Sequence, residues 1–318
     1  MPDRTDILVT GATGFLGRHL MPILERQQAG KKVVGVSSRN YDLMQPDEAK
    51  RMFDEHKPRK LVHLAALSAG IGANRARPAD FYYINTLLTA HVFEAAARSG
   101  VEKMVYTMGG CSYPGDATSP IGEDQMWKGY PDRNSAGYSS AKKMGIVASE
   151  SYRTQHGLNS VVLIPGNLYG EYDNFRKEES HVVPAFVRRY HEAKLDRAKE
   201  VVMWGTGEPV RDFVYAGDVA RIIPWFLDNY DSSEPVNISS GTTTSIKELA
   251  DIVKQATGFE GEIRWDTDKP NGQMVKIFDV TRLKELGLSC DTPLAEGLTR
   301  TAAWFGEHYA DKSDGIRL

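Results

Sequence analysis

The run Thr10-Gly11-Ala12-Thr13-Gly14-Phe15-Leu16-Gly17 leaves few folds open. It follows the apolar stretch Ile7-Leu8-Val9 and leads into an amphipathic stretch from Phe15 to about Gln28. A strand, a glycine turn and a helix, in that order, begin a βαβ unit that binds a dinucleotide. Gly11 permits the tight turn. Gly14 lets the backbone approach a pyrophosphate, and Gly17 lets helix and strand pack closely. The helix start offers free N–H groups and its positive dipole end to the phosphates. Out of context the same glycines make a plain strand-to-helix turn. Their place directly after a strand favours the cofactor reading, with Thr13, Phe15 and Leu16 on the same loop.

The second strand, Val33-Val34-Gly35-Val36, ends in Ser37-Ser38-Arg39. An NAD enzyme usually puts an acid there to hold the ribose 2′-OH. Ser38 and Arg39 suit a 2′-phosphate instead, so NADP(H) is expected over NAD(H). A surface arginine in a loop is the plainer alternative. Asp42 faces the adenine amine or serves as a turn residue. Leu43 and Ala65 complete the expected cofactor wall.

Further strand-like runs are Leu61–Leu64, Lys103–Thr107 and Ser160–Ile164. Helical stretches separate them, over about Pro46 to Glu55, Asp80 to Arg98, and Tyr138 to His156 closed by Gly157. Near-continuous apolar strands between helices predict an α/β fold, a Rossmann-type doubly wound parallel sheet covered on both faces. Pro22 lies inside the first helix and predicts a kink. After about Leu168 the loops lengthen and charged and aromatic residues crowd together. With 318 residues, two domains, or one large domain with a lobe, are expected. They are a cofactor domain over 1–168, to which 212–240 returns, and a smaller mixed α/β substrate lobe over 169–211 and 241–318. A helix is predicted there from Ser245 to Ala256.

Several function classes are disfavoured. The formal net charge is −3 and no Lys/Arg run occurs, which argues against nucleic-acid binding. The two cysteines, Cys111 and Cys290, make neither a disulfide framework nor a metal pattern and suit a reducing compartment. The opening residues lack a signal-peptide layout, and no apolar stretch approaches a membrane span. A cytoplasmic protein without a metal is the expectation.

Tyr138-Ser139-Ser140-Ala141-Lys142 places a phenol and an ammonium on one helix face. A nearby cation lowers a tyrosine pKa, so the phenol can exchange a proton with a carbonyl or alcohol oxygen. Lys142 can also hold the nicotinamide ribose. Alone, such a pair is ordinary surface decoration; downstream of the glycine loop it reads as chemistry.

These segments carry a resemblance. With Ala69-Gly70-Ile71-Gly72-Ala73-Asn74, Cys111-Ser112-Tyr113-Pro114, Asn167-Leu168-Tyr169-Gly170, Asp173-Asn174-Phe175, Ser180-His181-Val182-Val183-Pro184-Ala185, Arg188-Arg189-Tyr190-His191-Glu192-Ala193, Val202-Met203-Trp204-Gly205-Thr206-Gly207, Lys269-Pro270-Asn271-Gly272 and Lys276-Ile277-Phe278-Asp279, the chain resembles extended short-chain dehydrogenases. It is most similar to the GDP-L-fucose synthases, which are GDP-4-keto-6-deoxymannose 3,5-epimerase/4-reductases. The resemblance implies that Cys111 and His181 act as base and acid beside a 4-keto group, with His181 also at the cofactor. It places Asn167, Arg189, Trp204, Arg211 and Lys276 at a GDP-sugar, and it implies a homodimer pairing through the helices around 80–98 and 138–156. By themselves Cys111 is a small core residue, His181 a cap or core histidine, and the arginines surface ion-pair partners.

Two departures stand beside the expected sugar. The family carries Ser or Thr where this chain has Gly109. Thr107, two residues earlier on the same strand face, Ser112, or a water would have to substitute. The pair Ala136-Gly137 is also unusual. The resulting expectation is an NADPH-dependent epimerase/reductase of a GDP-4-keto-6-deoxy-sugar. The alternatives are an epimerase without net redox change and a non-catalytic NADP-binding module.

Overall fold

The short Val/Ile/Leu runs form one parallel sheet, and the amphipathic stretches between them cover it. The computed structural model describes residues 4–269, 271–311 and 316–318, so Pro270 of the Lys269-Pro270-Asn271-Gly272 segment lies outside the described residues, as do residues 1–3. The first half contains β1 (Ile7–Thr10), α1 (Phe15–Gln27), β2 (Val33–Val36), α2 (Pro46–His56), β3 (Lys60–His63), α3 (Ile71–Ala76), α4 (Pro78–Arg98), β4 (Lys103–Thr107), α5 (Ala136–His156) and β5 (Asn159–Pro165). Then come β6 (Asn167–Tyr169), α6 (Val182–Leu195), β7 (Glu200–Trp204), β8 (Val210–Arg211), β9 (Phe213–Tyr215), α7 (Ala216–Asn229) and β10 (Val236–Ile238). The rest is β11 (Thr244–Ser245), α8 (Ile246–Thr257), β12 (Glu262–Asp266), β13 (Val275–Lys276), α9 (Thr281–Glu285) and α10 (Leu294–Asp311).

The main sheet has the order β10-β5-β4-β3-β1-β2, and every neighbouring pair is parallel. Successive residues of a strand face opposite sides. Ile7 and Val9 therefore join a core with Leu20 and Leu24 of α1 and Val219, Ile223 and Phe226 of α7. Leu8 joins the other core, with Met52 and Phe53 of α2 and Val92 and Phe93 of α4. The chain leaves β1 toward β2 on one side and reaches β3 on the other. That reversal opens a crevice at the carboxyl ends of β1 and β3, where open α/β sheets bind ligands.

Helix α1 runs unbroken past Pro22, whose side chain is exposed. A helix-interior proline costs about 3 kcal/mol. Leu20 and Leu24, both fully buried, return about 2 kcal/mol each. Packing on both sides of the proline thus outweighs the lost hydrogen bond.

A third core holds Phe175, Tyr190, Leu249, Val253, Leu298 and Phe305 from the loop after β6 and from α6, α8 and α10. Here the sheets are small: β12 with β7, β6 with β9, and β11-β8-β13. Helix α8 starts in a capping box, where Ser245 Oγ accepts from the Glu248 N–H at 3.1 Å and the Ser245 N–H donates to the Glu248 carboxylate at 2.8 Å. Among the described residues no helix is long and apolar enough to cross a membrane, and no His/Cys/Asp/Glu group could hold a metal.

Candidate active site

The glycine loop lies at the crevice. Gly11 has φ +72°, and a Cβ there would lie 2.8 Å from the Ala65 nitrogen at the end of β3. A Cβ on Gly17 would lie 2.6 Å from the Ala12 carbonyl oxygen. Only glycine lets the turn, α1 and β3 come this close. No side chain caps α1 at Gly14, so its first-turn amides remain for an anion. Thr13 is exposed, Phe15 half-buried and Leu16 buried against the sheet.

At the end of β2, Ser38 and Arg39 are both exposed, and Arg39 makes no ion pair among the described residues. Asp42 accepts the Met44 N–H at 3.1 Å, a turn bond that occupies one carboxylate oxygen. Leu43 is buried in the core, and its carbonyl accepts from His91 at 3.1 Å. Ala65 is half-buried against the same core. This donor set fits a dinucleotide phosphate: uncapped helix amides, a glycine cradle and an uncommitted arginine.

Helix α5 begins at Ala136, which puts Tyr138 in its first turn and Lys142 one turn later. Gly137 is required by packing, since a Cβ would lie 3.4 Å from the Pro78 carbonyl carbon and nearer still to its oxygen. Lys142 is 2% exposed, and its ammonium lies 4.1 Å from the centre of the Tyr106 ring. Burial pulls its pKa down to about 7, with Cys111 opposing. The Tyr138 phenol is pushed far above its usual range, first by burial and then by Cys111. The expected lowering by Lys142 is not what dominates. The ammonium rests on Tyr106, and a buried lysine gives up its own charge. Ser68, on the loop after β3, offsets the rise at Tyr138 in part.

Cys111 lies in a short turn after β4, half-buried, where its field reaches Tyr138, Lys142 and Lys276. Thr107 is tied down, its hydroxyl donating to the His63 carbonyl at 3.3 Å. Ser112 is fully buried. His181 caps α6 without a side-chain bond and keeps solvent contact, while protein packed around it holds its pKa below the usual imidazole value. Its neighbour Ser180 meets Gly70, where a Cβ would lie 3.0 Å from the Ser180 carbonyl carbon. The Gly70 N–H donates to the Glu179 carbonyl at 2.6 Å. The His181 segment thus runs over the loop that follows β3.

Arg211 and Lys276 are register partners across β8 and β13. Both have pKa values lowered mainly by burial, and neither makes an ion pair among the described residues. Two adjacent, partly desolvated cations without a carboxylate partner are costly unless an anion completes them. Arg189 donates to the Val202 carbonyl at 2.8 Å, beside Trp204, which is 69% exposed. Asn167 spends its amide on the Asp212 carbonyl at 2.8 Å, just behind Arg211.

Sequence reasoning missed His63, which is fully buried, stacks on Tyr106 and meets the Thr10 hydroxyl at 2.7 Å; within the β3 run it reads as one polar residue among apolar ones.

Residues 7–239 match the model of the NAD dependent epimerase/dehydratase family. A GDP-L-fucose synthase of Arabidopsis thaliana is 38% identical over 299 residues, which cover 94% of this chain and 92% of that one. The structure of a GDP-L-fucose synthetase from Naegleria fowleri bound to NADP superposes with a TM-score of 0.91 at 28% identity, covering 100% of this chain and 98% of that one. A GDP-6-OMe-4-keto-L-xylo-heptose reductase from C. jejuni gives a TM-score of 0.88 at 27% identity, covering 98% and 99%.

Proposed function

Because the chain belongs to the NAD-dependent epimerase/dehydratase family, we propose that it is an NADPH-dependent epimerase/reductase acting on a GDP-4-keto-6-deoxy-sugar. The observation that carries this reading is the adjacent Arg211–Lys276 pair, without an ion-pair partner among the described residues, whose Lys276 lies within reach of Cys111. An anion-binding pair next to a proton-transfer cluster, beside a dinucleotide cradle, suits a sugar nucleotide. The relatives named for GDP-sugars make GDP the base of choice.

The dinucleotide belongs on Gly11, Gly14, Gly17 and the α1 amides, with Ser38 and Arg39 at a 2′-phosphate and Lys142 and Tyr138 at the far end. When bound, NADPH supplies the hydrogen and two electrons that reduce the C4 carbonyl. Tyr138 keeps its proton at neutral pH, because burial penalises the phenolate. It can therefore give that proton to the carbonyl oxygen as reduction proceeds. Lys142 titrates at about 7 and so sits at the boundary between ammonium and amine. His181, whose surroundings hold its pKa down, and Cys111 form the pair that exchanges protons next to the ketone, one removing a proton and the other returning one on the opposite face. Arg211, Lys276, Arg189, Trp204 and Asn167 hold the nucleotide end.

The same proposal divides the chain into a cofactor unit, 1–168 with 212–240, and a substrate lobe formed by the remainder. It places the protein in the cytoplasm. It makes the protein a homodimer through α4 and α5, which leave Tyr82, Tyr83, Met144 and Val147 exposed.

The test is incubation with GDP-4-keto-6-deoxymannose and NADPH in heavy water. NADPH loss in step with deuterium at C3 and C5 is expected. Tyr138→Phe should lower NADPH oxidation by about 1,000-fold while NADPH still binds. Deuterium entry without NADPH loss would replace the reading with a simple epimerase, and neither signal would remove the substrate assignment.

A further inference from the structure

The chain after β2 folds into a turn whose polar groups mostly hold its own shape. The Ala12 N–H donates to the Val36 carbonyl at 3.1 Å, so the turn begins beside the glycine loop. The Asn40 and Tyr41 N–H groups both donate to the Ser37 carbonyl, at 2.9 and 3.2 Å. In the other direction Asn40 Oδ1 accepts the Ser37 N–H at 2.9 Å and the Ser37 hydroxyl at 3.1 Å. The Ser37 hydroxyl oxygen in turn accepts the Arg39 N–H at 3.3 Å. Ser38 and the Arg39 guanidinium are left over. Both are exposed, and neither has a hydrogen bond or ion pair among the described residues.

Helix α2 clamps this turn from outside. Arg51 donates to the Asn40 carbonyl at 3.0 Å, and its guanidinium lies 4.4 Å from the centre of the Tyr41 ring. Tyr41 is itself buried, with its hydroxyl on Glu55 and His56. The positive charge of Arg51 is already matched. Glu48 accepts two of its N–H groups at 2.8 Å each, and Glu55 accepts another at 2.9 Å. Arg51 therefore acts on the turn through its geometry rather than its charge. A planar fork reaches two carboxylates, a backbone carbonyl and a ring at once, which the point charge of a lysine cannot do.

We propose that Asn40 and Arg51 are positioning residues for the cofactor's 2′-phosphate, holding the Ser37–Tyr41 turn in the shape that presents Ser38 and Arg39, and that they thereby set the preference for NADPH over NADH. The inference rests on the NADPH reading above and is independent of which sugar is turned over. A phosphate on the ribose 2′-oxygen takes the Ser38 donors and the Arg39 guanidinium. In a loose loop, ordering those groups would cost backbone and side-chain entropy at the moment of binding. Here the turn is formed beforehand, so the phosphate contacts are not weakened by that cost. NADH has only a hydroxyl at this place and gains little from the turn. The effect therefore belongs in the difference between the two cofactors, not in the binding that they share.

The experiment measures dissociation constants for NADPH and NADH, by cofactor fluorescence, in the parent, Asn40→Ala, Arg51→Met and Arg51→Lys. The parent should bind NADPH about 10- to 100-fold more tightly than NADH. Asn40→Ala and Arg51→Met should each weaken NADPH binding by about tenfold and leave NADH within about twofold of the parent. Arg51→Lys should behave as Arg51→Met does, since the charge remains and the fork is gone. An unchanged NADH constant shows that the variant is folded and its crevice intact. Equal losses for both cofactors, or NADPH constants within about twofold of the parent, would overturn the assignment. So would a full NADPH preference in Arg51→Lys beside a loss in Arg51→Met, because charge alone would then explain it. A parent that does not distinguish the two cofactors removes the 2′-phosphate reading itself, and the assignment with it.

Discussion

Gly17 and Gly109 stand at two ends of the same crevice, and they are glycines for different reasons. At Gly17 a Cβ would fall 2.6 Å from a carbonyl oxygen of the loop it packs on. At Gly109 it would meet nothing nearer than 3.4 Å. The first end is governed by space: backbone against backbone, few titratable groups, an arginine at its rim. The second is governed by charge. Lys142 and His63 lie on the Tyr106 ring, with Tyr138 and Cys111 beside Lys142, and burial moves the pKa values of Tyr138, Lys142 and His63 away from the usual. A glycine at the first end is a steric necessity, and a glycine at the second is a chemical choice.

The largest effect that can break this comparison comes from Gly17→Ala. The new methyl cannot avoid the Gly11 and Ala12 carbonyls without moving α1 off the loop. Overpacking of this kind costs about 1–3 kcal/mol or more, and here it also spoils the phosphate cradle. NADPH affinity should fall by at least about 100-fold, equivalent to about 3 kcal/mol, when followed by cofactor fluorescence. An alanine variant that binds NADPH as the parent does would show that the approach of helix and loop is not what the cofactor needs.

The second effect is in stability and depends on pH. Lys142 has a folded pKa of about 7, below the unfolded value near 10.4. Below about pH 7 the native protein holds a buried ammonium, at a cost offset only in part by the Tyr106 ring. Between about pH 7 and 10 the native state sheds that proton before the unfolded chain does, so this group adds stability as pH rises. Lys142→Met should therefore stabilise the empty protein by a few kcal/mol at about pH 6, and the gain should shrink toward pH 10. Urea unfolding at both pH values measures it. A gain independent of pH would mean that Lys142 is not the source, and the contrast between a spatial end and an electrostatic end would weaken.

The two ends also differ in how far the sequence reveals them. The glycine loop is local: strand, turn and helix are contiguous, and each glycine has a partner within a few residues or at the next strand end. The parallel sheet expected from the apolar runs is the one found, because buried parallel strands need no alternation to be recognised. The pairs β6 with β9 and β8 with β13 are different. Strands of two or three residues carry no period, and their partners lie far along the chain. Pro22 shows the same limit from the other side. Its local rule disfavours a helix interior, and the burial of Leu20 and Leu24 on either side lets α1 continue through it. At the chemical end the absence at Gly109 was visible in the sequence, but the burial that sets the pKa values of Tyr138 and Lys142 was not. The loop after β3 is held by Asn85 and by the Gly70–Glu179 bond, both partners from distant parts of the chain. A resemblance transfers motif positions, and it does not transfer a contact made by a residue outside the motif.

The smallest effect separates the two kinds of glycine most cleanly. Gly109→Ala adds one methyl, on an extended backbone, into a place where its nearest neighbours are the Cys111 sulfur and the Tyr138 ring edge and hydroxyl at 3.4–3.5 Å. Replacing glycine by alanine where the backbone is unstrained reduces the freedom of the unfolded chain and stabilises by about 0.4–1 kcal/mol. The methyl fills space without crowding it, so folding should be unchanged or slightly favoured, with the unfolding midpoint up by no more than a few degrees. The same change at Gly110 would drive a methyl into the Phe278 ring and should cost about 1–3 kcal/mol. Thermal unfolding of the two alanine variants side by side checks the difference. If Gly109→Ala destabilises as much as Gly110→Ala, then position 109 is glycine for space after all, and the contrast between the two ends of the crevice disappears with it.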